Sequence, residues 1–366
     1  MKFTITREEL LTPLQHIVSV IEKRQTMPIL SNVLIFIKKD QIIFTGTDLE
    51  IQLIVTVSIS SEAQGSVTVP ARKLLDICRL LPQGAQIVFE AGEGKVKITS
   101  NKSRFSLSCL PADNYPEFSE SVFDHQFFIN AGKFKKALVK TTFCMANQDV
   151  RYYLNGLLLN ISNNTLKLVA SDGHRLSIYE DQLGHNTDIE ARIILPRKGV
   201  LELIRLLDDA DAELKIEFSN NSIRIFNKNI VFSAKLVDSK YPDFSKVFQQ
   251  QFFSSLQIQK NIFKEALTRV AILSNEKFKG VTLDISSGSL KISTHNPEHE
   301  EAEEELVTEY SGEPLVISFN AQYLLDALAN LDSDIAVLTI ASNVNTCFIE
   351  EPNEKIYKFI VMPMKL

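Results

Sequence analysis

The chain has 366 residues, 45% hydrophobic and 23% charged, with a formal net charge of −6, enough for two or three ordinary packed domains. That sign excludes a protein that grips nucleic acid over its whole surface, though not one with a single basic face. No apolar run approaches a bilayer span, and the N-terminal MKFTITREELL alternates where a signal peptide would be apolar, so a soluble, cytoplasmic protein is expected.

In chain order, the first helical signal opens at Thr6-Arg7-Glu8-Glu9, a capping box. Leu10, Leu14, Ile17, Val18 and Ile21 share one face of it, and Pro13 is expected to kink it or mark its first turns. Residues 33–38 read as a strand, and Ile51, Leu53, Val55, Val57 and Ile59 alternate with mostly polar neighbours, the period of a half-buried strand. A helix near 72–81 and strands at 86–90 and 95–99 follow. The middle third predicts helices over 132–145 (Phe134, Ala137, Leu138, Thr141, Met145) and 197–207, then strands at 213–218, 222–226 and 230–236. The last third predicts helices over 260–273 (Phe263, Ala266, Leu267, Val270) and 320–331, with strands at 281–285, 289–294 and 335–340. Cys78, Cys109, Cys144 and Cys347 are far apart and read as buried free thiols, not as a metal site or disulfides.

Three segments echo one another. The first has Thr45-Gly46-Thr47-Asp48, then Val69-Pro70-Ala71-Arg72-Lys73-Leu74-Leu75, and closes on Tyr115-Pro116-Glu117-Phe118. The second has Val169-Ala170-Ser171-Asp172, Leu195-Pro196-Arg197-Lys198-Gly199-Val200-Leu201 and Tyr241-Pro242-Asp243-Phe244. A fainter third has Ser293-Thr294-His295-Asn296 and Phe319-Asn320-Ala321-Gln322-Tyr323-Leu324-Leu325. Matched points are 124 to 126 residues apart. Constant order and spacing predict three similar α+β domains, each with antiparallel sheet and two helices, over residues 1–122, 123–249 and 250–366. Summed over the six predicted helices, starting with 7–24, the formal charge is +9, which leaves −15 on the rest. Helices sharing one face would make that face basic. Lysine and arginine without a base-reading motif favour phosphates of any sequence.

At this point the residues carry a resemblance. Thr45-Gly46-Thr47-Asp48-Leu49-Glu50, Gln148-Asp149-Val150-Arg151-Tyr152-Tyr153-Leu154-Asn155-Gly156, Ser171-Asp172-Gly173-His174-Arg175-Leu176, Ala271-Ile272-Leu273-Ser274-Asn275-Glu276-Lys277-Phe278 and the terminal Val361-Met362-Pro363-Met364-Lys365-Leu366 resemble the bacterial β sliding clamp family along essentially the whole chain. The resemblance implies a DNA-clamp fold: a head-to-tail homodimeric ring of six similar domains, helices lining the hole and sheets outside. It implies a non-catalytic processivity factor of DNA replication without cofactor or metal. Its partners would be duplex DNA, the replicative polymerase catalytic subunit, the clamp loader, and other clamp-binding polymerases and repair proteins.

By position, the resemblance puts DNA-facing residues at Arg24, Arg72, Gln148, Tyr152, Tyr153 and Lys198. It puts a partner-peptide pocket at Leu154, Ser171, Gly173, His174, Arg175, Leu176, Pro242, Val247, Thr346, Val361, Met362, Pro363 and Met364. Pro363 is expected to stop ladder pairing there. Ser171 and Lys365 stand where family members often carry threonine and arginine. The dimer contact would join a basic and apolar strand edge, Lys102, Arg104, Phe105 and Leu107, to an acidic helix-and-loop surface of Ile272, Leu273, Glu298, Glu300, Glu301, Glu303 and Glu304. On residues alone, that glutamate run reads as a solvated face, and the tyrosine pair as strand-edge core.

Enzyme readings find little support. Gly92-Glu93-Gly94-Lys95 lacks the spacing of a phosphate loop, and Pro297 between His295 and His299 spoils a helical metal pair. Asp172-Gly173-His174 leaves open a hydrolase, but a turn histidine beside a groove is the better reading; a protein-binding scaffold is the other rival.

Overall fold

The computed structural model describes every residue except 22–26, 61–62, 93, 119–121, 208–210, 249–251, 342–344 and 366; the side chains of 246 and 252–254 are also outside the description. The same element order runs three times. The first pass is β1 (Lys2–Thr6), α1 (Arg7–Val20), β2 (Asn32–Lys38), β3 (Gln41–Thr47), β4 (Ile51–Ser58), β5 (Gly65–Pro70), α2 (Ala71–Leu80), β6 (Gln86–Ala91), β7 (Lys95–Ser100) and β8 (Ser103–Ser108). The second is β9 (His125–Asn130), α3 (Ala131–Thr142), β10 (Gly156–Ser162), β11 (Thr165–Ser171), β12 (Arg175–Gln182), β13 (Ala191–Pro196), α4 (Arg197–Leu206), β14 (Glu213–Phe218), β15 (Ser222–Asn227) and β16 (Ile230–Lys235). The third is β17 (Phe252–Gln259), α5 (Lys260–Val270), β18 (Gly280–Ser286), β19 (Ser289–His295), β20 (Glu301–Val307), β21 (Leu315–Asn320), α6 (Ala321–Ala329), β22 (Ile335–Ala341), β23 (Cys347–Glu350) and β24 (Tyr357–Val361).

These elements form two compact units, Met1–Lys135 with Lys198–Asp238 and Lys136–Arg197 with Ser239–Leu366, so the middle repeat is divided. Unit one holds the sheets β5-β2-β3-β4-β16-β15-β14-β9 and β1-β6-β7-β8. Unit two holds β13-β10-β11-β12-β24-β23-β22-β17 and β20-β19-β18-β21. Each long sheet is two half-sheets from successive repeats, zipped antiparallel through β4–β16 or β12–β24. The two short sheets are the halves left over. Their ends, β8 and β20, are the strand positions that meet in the long sheets, and among the described residues neither has a partner on its outer side.

Helix α1 starts where its capping box predicts: Glu9 N–H donates to Thr6 Oγ1 at 3.3 Å, and Thr6 N–H to Glu9 Oε2 at 2.9 Å. The helix runs through Pro13 without a break to Val20, stabilised by burial of Leu10, Leu14 and Ile17. Gly46 on β3 lets it lie close, since a Cβ there would sit 2.7 Å from Ile17 Cγ2. Over their observed ranges, the six helices carry a formal +8. Three cysteines are buried as expected, but Cys109 is only half-buried, because the chain leaves the edge strand β8 just before it. Among the described residues no helix is long and apolar enough to cross a membrane.

Candidate functional site

In unit two, the chain end lies against the start of β12. Arg175 faces Val361 and Leu176 faces Ile360 across the ladder, and Met362 N–H donates to His174 O at 2.8 Å. Pairing does not stop at Pro363: Met364 N–H donates to Ser318 O at 2.8 Å in an isolated bridge. A proline removes one donor only, and the next residue re-enters register with β21. Met362 is exposed, Pro363 and Met364 are half-buried, and Leu154, Leu176 and Val361 are buried.

The turn opposite is built by Asp172, whose Oδ1 accepts from His174 N–H (2.9 Å) and Arg175 N–H (3.0 Å). Gly173 sits at φ +90°, where a side chain is strained, and a Cβ would also stand 3.0 Å from the Arg151 guanidinium. Ser171 Oγ accepts from Gly173 N–H (3.1 Å) and donates to Arg175 O (2.8 Å), a role its hydroxyl shares with threonine's. Arg175 turns inward. It bonds Asp172 Oδ2 at 3.0 Å and Asp326 Oδ2 at 2.6 Å, with its guanidinium 4.5 Å from the Tyr323 ring centre. The His174 ring stacks on Tyr323 at 6.3 Å and 21°. Asp172 is thus bound to Arg175, and the His174 ring lies over Tyr323 rather than being held by the Asp172 carboxylate among the described residues. Tyr323 and Asp326 were missed by the sequence reading. Their signal was faint: they lie three apart on α6, one helical face, in the weakest repeat.

Val247 is half-buried in a short 3₁₀ turn, Ser245–Phe248, whose Phe248 ring lies 5.8 Å from that of Phe348 on β23. Pro242 is exposed nearby in sequence. Thr346 is buried, and its carbonyl accepts from Ala341 N–H at 2.9 Å; it supports the sheet and presents little surface.

The candidate DNA residues fall in several places. Arg24 lies outside the described residues. In unit one, Arg72 Nη2 donates to Ile21 O at 2.8 Å, and Lys198 is ion-paired to Asp48, whose side chain is 4% exposed. In unit two, Gln148 takes a left-handed φ of 57° and leads into a 3₁₀ turn, Tyr152–Asn155, not a strand. Tyr152 is 59% exposed and meets the half-buried Tyr153 edge-on at 6.3 Å. Asp149 braces this loop, accepting from Arg151 N–H, Nε and Nη2 at 2.8, 3.0 and 2.9 Å. Those bonds hold its carboxyl down at about 2.

Lys102 and Arg104 are exposed at β8, with Phe105 and Leu107 half-buried between them and its end. Ile272 is 75% exposed and Leu273 half-buried, in a 3₁₀ turn after α5. The acidic run is not helix and loop. Glu298 and Glu300 sit in a turn, but Glu301, Glu303 and Glu304 belong to strand β20, paired with β19 from His295↔Glu301 to Ser289↔Val307. Neighbouring cations neutralise part of the charge: Lys291 on β19 pairs with Glu303 at 2.7 Å and Arg269 on α5 with Glu304 at 2.5 Å.

Family models of the DNA polymerase III beta subunit match the N-terminal domain over residues 1–119, the central domain over 128–243 and the C-terminal domain over 245–365. Beta sliding clamps of Pseudomonas putida and Escherichia coli (strain K12) are 41% and 40% identical, with both chains fully covered. Crystal structures of the DnaN sliding clamp from Pseudomonas aeruginosa bound to griselimycin (TM-score 0.96, 42% identity) and of the clamp from Caulobacter crescentus (TM-score 0.94, 31% identity) superpose over the full length of both chains. With three matching domain models and similarity from end to end, the chain belongs to the DNA polymerase III beta subunit family, the bacterial sliding clamps.

Proposed function

We propose that two copies of the chain close head to tail into a ring around duplex DNA and tether the replicative polymerase to its template in the cytoplasm, without a catalytic step of their own. The observation that carries this is the pair of half-sheets. Within the chain, the strand position of β4 and β12 always zips to that of β16 and β24. β20 is the third strand of the first kind and β8 the third of the second, and a second copy supplies what each lacks. Basic Lys102 and Arg104 would then face the glutamates of β20, with Ile272 and Leu273 as apolar contact.

A ring needs no tight grip. The basic helices supply weak, sequence-independent phosphate attraction, and the exposed Tyr152 offers a ring face for a base or sugar. The chain-end groove, with its flexible Met362 and Met364, suits apolar peptides from polymerase, clamp loader and repair proteins. Two measurements test the reading. Replacing Ile272 and Leu273 with alanine is expected to shift the sedimenting species from dimer to monomer. Protein loaded on closed circular DNA is expected to survive salt that strips it from short linear duplex, and to leave once the circle is cut. A wild-type monomer at micromolar concentration, or equal retention on both DNAs, overturns it.

A further inference from the structure

Ser177 on β12 donates to the Lys140 carbonyl of α3 at 2.6 Å; its neighbours Ile178 and Glu180 therefore alternate with the helix side and lie on the opposite face of the sheet. That face carries a hollow of about 350 Å³. Ile178 and Ile356 form its apolar floor, and the Phe244 and Phe248 rings, edge-on at 6.5 Å, form a wall. Lys167, Lys355 and Lys358 line it with a single carboxylate, Glu180, so its lining is cationic on a chain of net charge −6. Lys167 pairs with Glu180 and Lys358 with Glu350, each at 2.9 Å. Lys355 is exposed, and among the described residues its ammonium has no carboxylate partner.

The repeat supplies an internal control. Unit one has a hollow at the corresponding place, lined by Ile54 and Phe118 where this one has Ile178 and Phe244. The backbone matches: Glu180 N–H donates to Ile356 O at 2.6 Å, and Thr56 N–H to Asn229 O at 2.9 Å. The chemistry does not. Ladder register puts Ile43, Thr56 and Val231 at the positions of Lys167, Glu180 and Lys358, and Asp113 and Glu117 join the lining. The fold thus builds the hollow twice without demanding Lys167 or Lys358, while the position of Lys355 is a lysine in both, Lys228 in unit one, outside that hollow's lining. The chain-end groove uses the other end of the same strands, Ser171, Leu176 and Val361, and two of its candidate residues, Pro242 and Val247, lie beside the Phe244 and Phe248 wall in sequence.

We propose that the hollow in unit two docks an extended acidic segment of a partner protein, with one apolar side chain on Ile178 and Ile356 and its carboxylates on Lys355 and Lys358. Charge complementarity selects the acidic flanks, and the apolar floor favours a peptide over a phosphate backbone. The test uses the full-length chain and a fluorescein-labelled peptide in which a Leu-Phe pair is flanked by glutamates. Anisotropy is expected to show saturable binding that weakens with salt. It should fall about tenfold on combined Lys355→Gln and Lys358→Gln substitution, the loss of two solvent-facing charge pairs, with an unchanged melting curve. A lysine-flanked version should bind no better to the wild type than to that variant. An unlabelled glutamine-and-leucine peptide directed to the chain-end groove should not compete. Equal affinity for acidic and basic peptides, indifference to the lysine substitutions, or competition by the groove peptide overturns the proposal. So does an oligonucleotide that binds with the same lysine dependence, which would make the hollow a phosphate site.

Discussion

Two residues show how the candidate sites are held. The three Arg151 donors keep Asp149 ionised and the Tyr152–Tyr153 loop in one shape. Because folding lowers this carboxyl's pKa to about 2, its contribution is complete above the ordinary aspartate value of about 4 and disappears as pH falls through about 2. Tyrosine ring resonances of the loop are expected to hold their positions down to that range, whereas Asp149→Asn should broaden them at neutral pH; unchanged spectra would remove the brace. Arg175 is the larger stake. Its side chain is 12% exposed and joins Asp172 to Asp326, so Arg175→Ala leaves two carboxylates without their cation and is expected to cost about 3 kcal/mol in urea unfolding. The resemblance to the clamp family placed Arg175 in the partner-peptide pocket. Its inward role was hidden, because Tyr323 and Asp326 come from an element nearly 150 positions away, and no local period reports such a meeting.

At the scale of elements, the strands and helices followed their periodicities closely, since alternation and the capping box are local signals. The lapse was β20. Glutamate has weak strand preference, and the inward phase of this strand, Ala302, Glu304 and Leu306, is broken by a glutamate, so the alternation is hard to read. The ladder to β19 and the cations Lys291 and Arg269 impose the strand from outside the segment. Pro13 is a milder case, a helix breaker overridden by the burial around it. The close seat of α1 on β3 makes a prediction: Gly46→Ala drives a methyl to 2.7 Å from the stiff, buried Ile17 side chain, and is expected to lower stability by about 1–3 kcal/mol. Unaltered thermal unfolding would mean that α1 shifts freely.

At the scale of the molecule, the triple repeat was legible from spacing, and the half-sheet arithmetic was not, because strand pairing between repeats leaves no trace in periodicity. The unfilled edges allow a clean separation of fold from assembly. Cys109 N–H bonds Gly94 O across β7, and an odd number of residues earlier the Ser106 N–H points outward. Ser106→Pro therefore keeps the bonds to β7 while deleting a donor from the outer edge. It is expected to leave the melting temperature of the isolated chain nearly unchanged and to abolish the dimer in sedimentation; a dimer that persists would place the contact elsewhere.

The two edges are also unlike, one basic at β8 and one acidic at β20. On the proposed pairing each copy added consumes one edge of each kind and offers one of each, so association has no stopping point except closure. Two copies that close leave nothing to add to; two that miss closure present a seat for a third, and then for a fibre. A substitution that changed only the angle at which the edges meet would convert a finite ring into chains of growing length. Its signature would be light scattering that climbs with concentration where the native protein levels off.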